Sequence, residues 1–149
     1  MPRPAREAGA TPPPPDLTIP VEKVCFIIVK AREFDAKDAT TEPDPASNPS
    51  DDKGVAVLEE HADDPVAEEL VSSIEALSED EQIDLVALAW LGRDGTGADD
   101  WPETRREAAR AHNNRTASYL LGMPMLADFV EEGLSMLGRS CEEFEIGRL

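Results

Sequence analysis

Seven consecutive apolar residues, Leu85-Val-Ala-Leu-Ala-Trp-Leu91, follow a Ser78-x-x-Glu81 pair, and no other feature restricts the fold of this chain as much. A Ser hydroxyl that meets an amide three residues on, answered by a Glu that reaches back to the Ser amide, starts a helix. The spacing therefore predicts a helix from Ser78 through Arg93, with about two turns apolar on every side. Such a helix has no face to offer water, so it must be a hub that other helices surround. Gly92 is placed to stop it in a left-handed conformation.

The neighbours of this hub are legible as amphipathic stripes. Thr18 as cap and Pro20 in the first turn precede Val21, Val24, Ile27, Ile28, Ala31 and Phe34, which recur at three- and four-residue steps and predict a helix to about Asp35. A buried strand competes there, because Val24-Cys-Phe-Ile-Ile-Val29 is rich in β-branched residues, but no partner strand is evident. Asp63 or Asp64 caps a helix with Pro65 first and Val66, Ala67, Leu70, Val71, Ile74 and Leu77 inward. Asp100 and Pro102 open a polar helix anchored by Trp101, on which Glu103 with Arg106 and Glu107 with Arg110 sit at three-residue spacing. A short turn follows from Thr116; Trp90 and Tyr119, each among apolar residues, are both read as core. A last helix from Pro124 turns Met125, Leu126, Phe129, Val130, Met136 and Leu137 inward, with Gly133 allowing close approach and Gly138 ending it.

The expected fold is thus all-α: one domain over 17–143, about five helices around a buried central one. Residues 1–16, with Pro2, Pro4 and Pro12-Pro-Pro-Pro15, are expected to form an extended, disordered tail. A flexible acidic loop is expected over 38–54, where prolines, asparagine and serines stand among acids. A C-terminal tail is expected over 144–149.

Among 149 residues, 32 acids against 14 bases leave a net charge of −18. The excess is local. From Asp35 to Asp84 there are seventeen acids and two bases, a net −15, whereas Arg93 to Arg115 balances five arginines against five acids. Nucleic-acid affinity rests on cations that displace counterions from phosphates, so this composition argues against DNA or RNA partners and against anionic membranes. No apolar run approaches the roughly 18 residues of a membrane span, and no apolar stretch follows the basic residues at the start. The expected compartment is the cytoplasm. Cys25 and Cys141 stand far apart without zinc-ligand spacing and are read as reduced thiols.

Chemistry-bearing motifs are few. A calcium loop starting at Asp94 fails on register: its sixth position is Asp99 where Gly is needed, and its twelfth is Arg105 where a bidentate Glu is needed. His61 and His112 lack a second ligand at helical spacing. His112 with Arg110 and Arg115 suggests either an anion site or, more plainly, a helix C-terminus. Arg93 is expected to pair with Asp94, Asp99 or Asp100. No nucleophile elbow, phosphate loop or dinucleotide fingerprint is present, so no catalytic, cofactor or metal residue is assigned.

The strings Val21-Glu-Lys-Val-Cys-Phe-Ile-Ile-Val-Lys-Ala-Arg-Glu-Phe34, Asp80-Glu-Gln-Ile-Asp-Leu-Val-Ala-Leu-Ala-Trp-Leu-Gly-Arg93, Arg115-Thr-Ala-Ser-Tyr-Leu-Leu-Gly-Met-Pro124 and Glu132-Gly-Leu134 resemble a family of small bacterial proteins, the domain of unknown function 3775. The resemblance spans roughly 17–143. It implies a compact helical, cytoplasmic bacterial protein and carries no activity, cofactor or site residue with it.

Three functions are expected in descending order. The first is a non-enzymatic interaction module that meets a basic protein partner through residues 35–84. The second is small-ligand or metal binding by the 94–103 loop with His112 and Arg115. The third is an enzyme gathering Arg93, Arg115 and a carboxylate in one pocket.

Overall fold

The computed structural model describes residues 17–41 and 64–142. The expected tails at 1–16 and 144–149, and the part of the expected acidic loop beyond Thr41, lie outside the described residues. Within them the chain forms six α-helices and no strand: α1 (Val21–Thr41), α2 (Pro65–Glu75), α3 (Glu79–Asp94), α4 (Trp101–Ala111), α5 (Thr116–Leu121) and α6 (Leu126–Met136), with a 3-10 turn at Ala98–Asp100. The fold is all-α.

The capping box forms as the spacing predicts. Glu81 N donates to Ser78 Oγ at 3.1 Å, and Ser78 N donates to Glu81 Oε1 at 2.9 Å. From Ile83 to Ala89 every residue of α3 is buried, and Leu91 with them, so α3 is the hub. Helix α2 starts from Asp64, whose Oδ1 accepts from Val66 N at 2.9 Å, and it buries Ala67, Leu70 and Ile74. Helix α1 packs on α2 and α6, α4 on α3, and α5 on α2.

Gly92 does not end α3. The helix runs to Asp94 and closes at Gly95, which takes the left-handed conformation at φ 67°. Gly92 serves packing instead: a Cβ there would lie 1.9 Å from Phe129 O, and one at Gly133 would lie 2.1 Å from Leu88 O. Two glycines thus bring α3 and α6 into backbone contact, a role foreseen for Gly133 alone.

Helix α1 exists, but it continues past Asp35 to Thr41, so 38–41 are helical and not loop. Its start also differs from expectation. The Thr18 and Ile19 amides are both drawn to Asp84 Oδ2, at 2.6 and 3.1 Å, and Pro20 O receives the first helical amides, those of Lys23 and Val24. Asp84 is fully buried on the hub, and its other oxygen accepts from Arg105 Nε at 2.6 Å. One carboxylate therefore ties the entry of α1 and the middle of α4 to α3. A buried charge is tolerable only when its lone pairs are met by donors and an opposite charge, as here.

Other boundaries shift for identifiable reasons. Asp100 precedes α4 but makes no side-chain cap, because the 3-10 turn already leads the chain into Trp101, which is buried as expected. Arg106 pairs with Glu103, yet Arg110 also turns to Glu103, at 4.0 Å, instead of to Glu107. Met125 is 55% exposed, contrary to the inward position expected, since it takes φ 63° just before α6. Tyr119 is 44% exposed and Trp90 half-buried, so neither is the core residue expected.

The cysteines are also corrected. Cys25 and Cys141 form a disulfide across 116 residues, with Cα atoms 5.6 Å apart and both residues buried. Distance along the chain was the wrong guide: α6 packs on α1, and the turn at Leu137 to Arg139 that closes α6 leads the chain to Cys141 beside Cys25. Among the described residues no helix is long and apolar enough to cross a membrane.

Candidate functional site

A cleft of about 240 Å³ opens between α3, the end of α4 and α5. Its floor is apolar and small, Val86 from the hub and Ala108 from α4, with Ala111 exposed at the rim. Alanines where larger residues would fill the gap leave the space. One wall is aromatic, with Trp90 Nε1 donating to Tyr119 Oη at 2.8 Å. The opposite rim is the α4–α5 turn, His112, Asn113 and Arg115, followed by Thr116 and Ser118 at the start of α5.

The turn is built by local hydrogen bonds. His112 closes α4 as its C-cap, with its amide bound to Ala109 O. Asn113 Oδ1 accepts from Arg115 N at 2.8 Å, an Asx turn, and Thr116 Oγ1 donates to Asn113 O at 3.3 Å. Asn is suited to this because its short side chain mimics a backbone turn.

The His112 ring lies against the start of the hub. Gln82 Nε2 donates to Ile74 O at 3.0 Å, which turns Gln82 Oε1 toward His112 Nε2 at 2.9 Å. An amide oxygen only accepts, so Nε2 carries the hydrogen. Nδ1 faces Glu79 Oε2 at 3.6 Å. Both ring nitrogens are thus turned to the protein, and His112 clips α4 to α3 while its ring edge lines the cleft. The helix-terminus reading of His112 and its place beside Arg115 both hold.

Arg93 and Arg115 are not equivalent. Arg93 is 42% exposed and bonds Asp94 with Nε at 3.0 Å, while its guanidinium sits 5.8 Å from the Trp90 ring centroid. The Asp94 carboxylate foremost, and Tyr119 to a lesser extent, hold Arg93 protonated more firmly than usual. Arg93 therefore backs the aromatic wall from outside the cleft. Arg115 lines the cleft, and its guanidinium meets no carboxylate among the described residues.

The 94–103 loop, expected to share a ligand site with His112 and Arg115, contributes no residue to this cleft. Among the described residues no group of His, Cys, Asp and Glu is arranged to hold a metal ion. His61 lies outside the described residues.

The acidic segment changes character in three dimensions. Of its described carboxylates, Glu69 meets Lys30 at 2.7 Å, Glu81 meets Lys23 at 3.4 Å, Asp80 and Asp84 meet Arg105, and Glu79 faces His112. Cations from α1 and α4 fold back onto α2 and α3. Lys30 is held protonated above its usual value, chiefly by Glu69, and Glu81 is held below its usual value, chiefly by the Ser78 amide. Glu68 and Glu75 remain exposed without a cation among the described residues.

These features define a small all-α domain with a ligand-sized cleft rimmed by polar groups. Residues 67–139 match the family described as protein of unknown function (DUF3775), so this part of the chain is a DUF3775 domain, as the strings in α3, α5 and α6 imply. The match begins inside α2, leaving the α1 string outside it, although α1 shares the same core. No curated protein and no solved structure matches the chain.

Proposed function

We propose that this chain is a non-enzymatic binding protein of the bacterial cytoplasm and that its working surface is the cleft beside His112, which accepts a small molecule. The observation that carries the reading is a cleft of about 240 Å³ whose floor is apolar and whose polar groups converge on one rim. The absence of catalysis is supported by His112, whose two ring nitrogens face Gln82 and Glu79 instead of the opening. An acid/base role needs a nitrogen aimed at a substrate.

The test is a screen of neutral, cationic and anionic fragments, read by the Trp90 indole signal in a proton–nitrogen correlation spectrum. Hits that move Trp90 and disappear in Ala111→Phe, where a ring occupies the rim, support the reading. A screen at millimolar fragment concentration that leaves Trp90 unmoved rejects it.

A second reading keeps the acidic segment as a surface for a basic protein partner. It is favoured by Glu68 and Glu75, exposed and unpaired among the described residues, next to a segment rich in acids. Association with a basic partner that weakens steeply with salt supports it. Indifference to salt counts against it.

A further inference from the structure

Resting on the cleft reading, we infer that the ligand is a small organic anion, a carboxylate on a single planar ring, held with its acid group at Arg115 and its ring on the Trp90 wall.

The first argument is charge. The chain carries 32 acids and 14 Lys and Arg, yet no acid lines this cleft, and an arginine does. Between residues 93 and 115 there are five arginines, and four are committed: Arg93 to Asp94, Arg105 to Asp84, Arg106 and Arg110 to Glu103. Arg115 alone of these has no carboxylate among the described residues. A planar guanidinium matches a carboxylate with two parallel hydrogen bonds.

The second argument is hydrogen-bond direction. An indole nitrogen donates and cannot accept, so Tyr119 Oη is the acceptor in its bond to Trp90 and its own proton is left to donate. Asn113 spends its oxygen on the Arg115 amide, which leaves its NH2 unengaged among the described residues. Ser118 turns its proton to Arg115 O and adds no donor. The polar rim thus offers a cation and an amide donor and the aromatic wall a hydroxyl donor, which together suit an acceptor of negative charge.

The third argument is shape. A cavity of roughly 150 Å³ suffices for benzene, so about 240 Å³ takes one ring and a short acid arm. The apolar lining of Val86, Ala108 and Ala111 gives a bare inorganic ion nothing to bury against, and inorganic phosphate should therefore be held poorly.

The experiment uses the full-length protein with phenylacetate, phenylacetamide and acetate, at physiological salt, and reads the Trp90 indole cross-peak, assigned by its loss in Trp90→Phe. Phenylacetate is expected to bind at least tenfold more tightly than either phenylacetamide, which lacks the charge, or acetate, which lacks the ring. Arg115→Gln should reduce phenylacetate to the level of phenylacetamide and leave phenylacetamide unchanged. Arg115 is exposed, so this variant retains the fold, checked by an unchanged urea midpoint. Equal binding of phenylacetate and phenylacetamide, or indifference of phenylacetate to Arg115→Gln, overturns the anion while leaving the cleft reading intact. If none of the three moves Trp90 but other fragments do, the ligand class is wrong; if no fragment does, the cleft reading fails with it.

Discussion

Two rows of residues on α3 lie on opposite sides of one helix and meet their neighbours in opposite ways. Leu88 and Gly92 are four apart, as are Val86 and Trp90, and the rows are offset by two residues, roughly 200° around an α-helix. On the first row the backbone of α6 comes so close that even a methyl group has no room at Gly92 or Gly133. On the second, alanines and a turn leave open space about the size of a small molecule. The hub is apolar on both sides, so hydrophobicity does not distinguish them. What does is the size of the facing side chain and the presence of a capped turn, and the lesson is that a buried helix can supply a site wherever its partner stops short.

The contrast can be broken most severely at the tight side. Gly133→Val should destabilise the fold by roughly 4 kcal/mol or more, because its Cβ would press on Leu88 O, a backbone atom that cannot swing aside. Urea denaturation measures this, and a midpoint equal to the parent's would mean that α3 and α6 are not in backbone contact. Next comes the polar tie. Asp84→Ala leaves Arg105 and the Thr18 and Ile19 amides without their acceptor and should cost about 3–5 kcal/mol, read in the same way.

The disulfide ranks third. Cys141→Ser should lower stability by about 2–4 kcal/mol under oxidising conditions and by much less once both proteins are reduced, because the crosslink acts mainly on the unfolded chain. Trapping the thiols in intact cells would also test the proposed compartment, since disulfides in the cytoplasm are uncommon. Full alkylation of Cys25 and Cys141 at lysis fits that compartment, and protected cysteines argue for an oxidising one.

On the open side the expectation reverses. Ala111 is exposed at the rim, so Ala111→Phe should change stability by less than about 0.5 kcal/mol while closing the cleft to ligands. A large loss would show that the second row is as tightly packed as the first. The smallest effect concerns Glu81. Its folded pKa lies below the ordinary carboxylate value, chiefly through the Ser78 amide, so its contribution is present above that ordinary value and is lost as pH falls through the folded one. Glu81→Gln should therefore be less stable than the parent at neutral pH, and their urea midpoints should converge in acid.

Local patterns were enough for the elements themselves. The capping box at Ser78 and Glu81, a cap at Asp63 or Asp64 and the stripe of Leu70 and Ile74 are governed by neighbours within four residues, and α3 could be recognised as the hub because an all-apolar helix has only one place to go. The candidate site was legible in part: His112 and Arg115 were singled out together because a charged turn after a helix is visible in sequence. Trp90 and Tyr119 were not, since an aromatic among apolar residues looks the same whether it fills a core or walls a cleft. Asp84 was one acid in a run of seventeen, and only burial beside Arg105 and the Thr18 amide separates it from the rest. Cys25 with Cys141, Gly92 with Phe129, and the acids of α2 and α3 with cations from α1 and α4 are pairings between distant segments. Sequence by itself determined which stretches become helices and which of them is innermost, because helix propensity, capping and hydrophobic period act over a few residues. Tertiary structure alone decided where charge is cancelled, where thiols meet and where space remains, because those depend on how close two helices can come, and that is set by the side chains of both.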